Sequence, residues 1–275
     1  MDFLQSLILG IIQGITEFLP ISSTAHLILV PALLGWALDE QAVFIFDILL
    51  QFGTVIAVVV YFWRDLWGIA RAVVAGLLAR APLATTEARL GWIIVLGTVP
   101  AVVIALLFRD AVESLHRQPL VVAAIMGVAA LLIFVSERIG RRDRSVDALD
   151  WKDALIIGSF QALALFPGVS RSAATICGGL VRGLERRAAA RFSFLLMVPA
   201  LTGASVVAVK DLLEVPNFVQ YLPPLALGTA VSLLVGLACI HWLLGFLARQ
   251  SMAVFGWYRI GFSILCLVTL GLALQ

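Results

Sequence analysis

From Gln13 to His26 the chain reads QGITEFLPISSTAH, which sets one carboxylate, four hydroxyls and an imidazole in an otherwise apolar neighbourhood. An ionisable group at membrane depth costs at least a few kcal/mol, so it marks a functional site unless a plainer role accounts for it. The plainer role would be Glu17 at a frayed helix end, with Ser22, Ser23 and Thr24 capping the next helix. A second stretch tips the balance. Phe166 to Thr175 reads FPGVSRSAAT, again a Pro-interrupted apolar run with hydroxyls, now carrying Arg171.

Arg171 in a Gly/Ser turn that opens a helix is a good anion site on three counts. Its guanidinium matches phosphate oxygens bidentately, hydroxyls supply further bonds, and backbone N–H groups at a helix start add partial positive charge. The hydroxyl set is Ser170, Ser172 and Thr175 from this motif, with Ser22 and Thr24 from the first. An Arg171–Glu17 pair is the expected resting form, which phosphate would displace. Gln13 and Glu17 are four apart and share one helix face, with Glu17 suited to cation binding or proton transfer. His26 is the leading acid/base or nucleophile candidate, since imidazole titrates near neutrality. Ser23 as nucleophile with His26 as base is the alternative, and the residues alone do not rank the two. His241 in ACIHWLL is read as structural, and Gln51 and Gln161 as hydrogen-bonding the backbone of the broken segments.

The two motifs resemble those of the undecaprenyl-pyrophosphate phosphatases, or bacitracin-resistance proteins, of bacterial membranes. That family carries Glu/Gln-x-x-x-Glu running into Pro-x-Ser-Ser-Thr-x-His, matched by Gln13, Glu17, Pro20, Ser22, Ser23, Thr24 and His26. It also carries Pro-Gly-x-Ser-Arg-Ser-x-x-Thr, matched by Pro167, Gly168, Ser170, Arg171, Ser172 and Thr175. The first motif opens with Gln13 where some members have Glu, so it offers one carboxylate to a metal instead of two. The resemblance implies hydrolysis of a polyprenyl pyrophosphate lipid to the monophosphate plus phosphate, recycling the carrier for cell-wall synthesis. It further implies Glu17, His26, Ser23 and Arg171 as the catalytic set and the bacterial cytoplasmic (inner) membrane as location. A divalent cation, Mg²⁺ or Ca²⁺ on Glu17 and Gln13, would suit oxygen ligands and pyrophosphate. Membrane lipids are the surroundings, a homodimer is a candidate assembly, and no nucleic acid is expected as a partner. The rival from another class is a polyprenyl-phosphate flippase or transporter.

Composition agrees with a membrane site. Hydrophobic residues make up 62% of the chain, charged residues 13%, and the mean hydropathy is +1.06, which excludes an ordinary soluble domain. Cys177, Cys239 and Cys266 lie in apolar runs without metal-ligand spacing and read as small hydrophobes. The N-terminus has no basic stretch before its apolar run and does not read as a cleaved signal peptide.

Six all-α transmembrane spans are expected at 41–62, 90–108, 119–137, 191–209, 224–247 and 256–273. The motif segments, 2–19 with 23–35 and 152–166 with 171–182, are read as two re-entrant helical hairpins. Residues 64–89 add an Arg-punctuated stretch with an interfacial helix. The chain reads as one membrane domain, 1–275, with an internal repeat of 1–140 and 141–275. Gly10-x-x-Gln13 before Pro20 parallels Gly158-x-x-Gln161 before Pro167, and Leu96-Gly97-Thr98 parallels Leu227-Gly228-Thr229. A hairpin plus three spans per copy inverts the second copy and predicts a site near the midplane where the broken segments meet. Most cations, including Arg138, Arg144, Arg182, Arg186 and Arg259, fall on one side, against Arg109, Arg117 and Lys210 on the other. The rich side is therefore cytoplasmic, with 138–144 and 182–191 read as solvated loops in preference to sites for anionic lipid headgroups. The short outer loops, with Asp110, Glu113, Asp211 and Glu214, suggest an opening to the outer (periplasmic) side.

Overall fold

The computed structural model describes residues 2–36, 40–213, 219 and 222–273. Glu214 lies outside the described residues, and the side chains of Arg109, Asp110, Glu113, Lys210 and Asp211 are likewise not described. The protein is helical. In order come α1 (Phe3–Thr16), α2 (Ser23–Leu33), α3 (Glu40–Tyr61), α4 (Trp63–Leu78), α5 (Thr86–Leu107) and α6 (Arg109–His116). Then follow α7 (Pro119–Ile139), a 3₁₀ turn at Val146–Ala148, α8 (Trp151–Leu163), α9 (Arg171–Val181), α10 (Arg186–Leu213), α11 (Leu222–Leu247) and α12 (Ala253–Ala273).

Five of these helices, α5, α7, α10, α11 and α12, are long and apolar enough to cross a membrane. A sixth is counted when α3 is joined to α4, which turns away from it by 75°. α4 is the helix expected within 64–89, and it leaves Trp63, Trp67 and Leu78 exposed. Along the long helices, large apolar side chains such as Leu106, Val128 and Leu234 are exposed, while Glu17, Gln13 and Arg259 are buried. That arrangement is the reverse of a soluble protein's and suits a multi-pass membrane protein whose outer surface meets lipid.

The two motif segments break as their prolines and polar residues dictate. α1 and α8 each begin at an aspartate, Asp2 and Asp150, that caps the helix and takes part in a reciprocal capping box. Both helices end before the Pro-containing turn, at Thr16 and Leu163. α2 and α9 then start at Ser22 and Ser170, whose hydroxyls accept from the N–H groups of Ala25 and Ala173 at 3.3 and 3.2 Å. Both serines are left-handed, with φ of 75° and 73°. For a non-glycine residue that is a strained conformation of the kind concentrated at functional sites.

Each broken helix packs on a long helix from the other half, α1 on α11 and α8 on α5. The crossings use the glycines that the internal repeat aligned. A Cβ added at Gly10 would lie 2.7 Å from the Gly228 carbonyl oxygen, and one added at Gly158 would run into that of Gly97. α3 packs on α11 as α10 packs on α5, and α7 and α12 lie together.

Two expectations about the cations are corrected. Arg259, counted with the cations of the rich side, does not stand free there: it lies inside α12, is 0% exposed, and donates to the carbonyls of Gly168, Val169 and Met126 at 2.7, 2.9 and 3.2 Å. The Gly168 and Val169 carbonyls are freed where the second broken segment turns, Met126 belongs to α7, and a guanidinium with five donors can satisfy all three at once. Nor are 138–144 and 182–191 simply solvated loops. Asp153, fully buried, takes Arg144 at 2.7 Å and Arg182 at 2.5 Å, and Glu137 takes Arg186 at 2.6 Å and the Met252 N–H at 2.7 Å. The bond to Asp153 raises the Arg144 guanidinium pKa from its ordinary value.

Candidate active site

The starts of α2 and α9 converge on one cavity of about 600 Å³. Its polar end holds Glu17, Ser22, Ser23 and Thr24 from the first broken segment and Ser170 and Arg171 from the second. Gln51 and Gln161 also face it, and its other walls are apolar residues of α5 and α10, among them Val102, Leu106, Leu201 and Ala204. Val112 and His116 of α6 and Ala164, Leu165 and Phe166 after α8 also line it. A polar pocket opening between two hydrocarbon-faced helices fits a ligand with a charged head and an apolar tail.

Glu17 is the hub of the polar end. It is 4% exposed, and one oxygen, Oε2, accepts from the Ser23 hydroxyl at 2.7 Å and from Gln13 Nε2 at 3.1 Å. The other, Oε1, pairs with Arg171 Nη2. Gln13 also reaches the Thr54 hydroxyl at 3.5 Å, while its own Oε1 is buried without a partner among the described residues. Arg171 Nε is buried without a partner as well. A carboxylate held by a guanidinium, with a hydroxyl donating to it, can serve as a base toward that hydroxyl once an anion draws the guanidinium away.

The remaining residues singled out in the sequence stand behind the cavity wall. Ser172 donates to the Leu19 carbonyl at 3.0 Å and lies 3.1 Å from Ser170 Oγ, tying the two broken segments together. Thr175 bonds the Arg171 carbonyl at 2.7 Å and Ser193 at 2.5 Å. His26, 4% exposed, has Nδ1 at 2.7 Å from the Ser22 carbonyl and Nε2 at 2.7 Å from the Tyr258 hydroxyl. Its ring stacks on Phe262 with centroids 4.6 Å apart. Both nitrogens are therefore within hydrogen-bond distance of protein oxygens. Arg259, Tyr258 and Thr54 were not read from the sequence as site residues. Arg259 carried a usable signal, a charge with apolar residues on both sides, whereas Tyr258 and Thr54 carried none.

Residues 6–265 match the family model described as Bacitracin resistance protein BacA. The chain belongs to that family. It is 44% identical to a protein of Chlorobaculum tepidum named undecaprenyl-diphosphatase, over 98% of both chains. It is 43% identical to one of the same name from Myxococcus xanthus, over 98% of this chain and 90% of that one. A third, from an Arthrobacter species, is 41% identical over 98% and 94%. Family membership covers both broken segments and the long helices that cross them, so the cavity is formed wholly within the matched region.

For a divalent cation, the described residues hold no group of three His, Cys, Asp or Glu side chains. The oxygens on hand are the Glu17 carboxylate, the unpartnered Gln13 Oε1 and the Ser23 hydroxyl. This set fits a hard, oxygen-seeking ion that takes most of its ligands from phosphate and water.

Proposed function

We propose that the chain hydrolyses a membrane-bound polyprenyl pyrophosphate, undecaprenyl pyrophosphate in the first instance, to the monophosphate plus phosphate. The observation that carries this reading is Glu17 held between Ser23 and Arg171 where two helix starts meet an apolar cleft. The names of the relatives favour hydrolysis over lipid translocation.

In the proposed reaction the terminal phosphate enters between the starts of α2 and α9, and Arg171 turns from Glu17 to the phosphate oxygens. Glu17, released, takes the Ser23 proton as Oγ attacks the terminal phosphorus. The Oγ–P bond forms, the bridging P–O bond breaks, and polyprenyl monophosphate leaves with the proton returned from Glu17. Water then attacks the phosphoserine with Glu17 again as base, freeing phosphate and restoring Ser23. Ser22, Thr24 and Ser170 bind oxygens from the rim, Ser172 and Thr175 hold the turn that presents Arg171, and His26 is a positioning residue. When bound at Glu17 and Gln13, Mg²⁺ or Ca²⁺ would neutralise part of the pyrophosphate charge.

Detergent-solubilised protein has no two compartments to transport between, so phosphate release from the lipid by wild type, lost in Glu17→Gln and Ser23→Ala, tests the reading directly. No release, with lipid moved across vesicles, would sink it in favour of the transporter.

We further propose the bacterial inner membrane, an inverted arrangement of the two halves with both broken segments re-entrant, and a cavity open to the outer side. Support comes from α6, on the cation-poor side, which contributes Val112 and His116 to the cavity. A cysteine at Gln118 should then react with an impermeant thiol reagent from outside, and one at Asp143 only after permeabilisation.

A further inference from the structure

Gln161 lies on α8, lines the cavity and is 3% exposed, yet neither its Nε2 nor its Oε1 has a hydrogen-bond partner among the described residues. The sequence reading of this residue as a bond to the hairpin backbone is therefore not what the fold contains. A buried carboxamide with no bond at all is strongly disfavoured, and each such group in a folded protein calls for a ligand or a water. The first half shows what its counterpart does. Gln13 occupies the equivalent place on α1 and donates through Nε2 to Glu17, four residues on. Four residues after Gln161 stands Leu165, so the second half keeps the amide and lacks the carboxylate. Arg171 Nε, from the same segment, is also without an acceptor.

Two buried donors of one half thus lack the anion that the other half supplies internally. We infer that Gln161 is a substrate-binding residue whose Nε2 donates to a non-bridging oxygen of the pyrophosphate. The phosphate oxygen takes the place toward Gln161 that the Glu17 carboxylate takes toward Gln13. A prenyl chain has no acceptor to offer, and a pyrophosphate oxygen is the strong, charged acceptor that both Gln161 Nε2 and Arg171 Nε lack. The inference rests on the hydrolase reading for the identity of the anion.

The test uses the full chain in detergent as wild type, Gln161→Leu and Gln161→Glu. It measures the KM for phosphate release from polyprenyl pyrophosphate and the rise in Tm on adding inorganic pyrophosphate. Gln161→Leu removes two unbonded polar atoms, so its Tm without ligand should equal or exceed that of wild type. Its KM should rise roughly 10- to 100-fold, the worth of a hydrogen bond to a charged acceptor, and pyrophosphate should no longer raise its Tm. Gln161→Glu, nearly isosteric, should bind more weakly still at neutral pH and recover partly as the pH is lowered and the new carboxylate is protonated. Wild-type KM and undiminished pyrophosphate protection in either variant would overturn the inference, leaving water as the partner of the amide. Wild type that is protected by pyrophosphate but releases no phosphate would refute the hydrolase reading, with the protection measurements still deciding the role of Gln161.

Discussion

The two broken segments are built alike and charged oppositely. Each starts with an aspartate cap, crosses a long helix of the other half at a glycine, and restarts at a left-handed serine. The first then carries Glu17, Ser23 and His26, the second Arg171, Ser172 and Thr175. On the proposed mechanism neither segment alone suffices: one offers a carboxylate and a hydroxyl without a cation, the other a cation without a carboxylate. A shared backbone design brings two equivalent turns to one place, and the divergence of a few side chains makes them complementary.

The sharpest way to break that division of labour is to remove the base half. Glu17→Gln keeps the shape and loses the proton acceptor, so kcat should fall about 10²- to 10⁴-fold, as is usual for a general base. Ser23→Ala should match it and abolish any phosphoenzyme formed from lipid labelled in the terminal phosphate. A labelled intermediate persisting in Ser23→Ala would move the nucleophile elsewhere.

Altering the cationic half should do less, because charge survives a conservative change. Arg171→Lys keeps the charge and loses the planar fork, so kcat/KM should drop by at least about tenfold, roughly 1.4 kcal/mol of transition-state stabilisation. Activity within twofold of wild type would take Arg171 out of the phosphate site and leave the pair with Glu17 as a structural tie.

The packing that aligns the halves can be probed separately. Gly10→Ala and Gly158→Ala each push a methyl into the carbonyl of a crossing helix, at Gly228 and Gly97. Overpacking of this sort costs about 1–3 kcal/mol, and a thermal melt in detergent should show both, with Gly158→Ala the larger because its approach is the tighter. If one variant were neutral, the two crossings would not be equivalent and the comparison would weaken.

Much of this was legible from residue types. Pro20 and Pro167 end helices, Gly10 and Gly158 recur at fixed distance from Gln13 and Gln161, and long apolar runs need no tertiary information to be recognised. Arg259 was counted with the cations of the rich side because a sequence shows a charge and not its burial, and two of the carbonyls it satisfies, Gly168 and Val169, are freed only once the second segment has turned. Gln161 was misread for the converse reason: a sequence does not show that a buried amide lacks partners. For His26 the residue type fits acid/base work, and only its neighbours Tyr258 and Phe262, more than two hundred residues away in the chain, reveal that the ring is held on both nitrogens.

The His26 ring offers the subtlest test. With Nδ1 set against the Ser22 carbonyl and Nε2 against Tyr258, a positioning role requires a donor toward Ser22 and little else. The amide nitrogen of asparagine can reach much the same place as Nδ1, so His26→Asn should preserve the start of α2. Its activity should then stay within about tenfold of wild type. Tyr258→Phe removes one neutral hydrogen bond, worth about 0.5–1.5 kcal/mol, and should lower kcat by only a few-fold. Proton transfer by His26 predicts the opposite for asparagine, which cannot titrate: a fall of about 10²-fold or more. Steady-state phosphate release by the two variants decides between the roles, and a collapse in His26→Asn with Tm unchanged would return the imidazole to the chemistry and make Ser23 its partner.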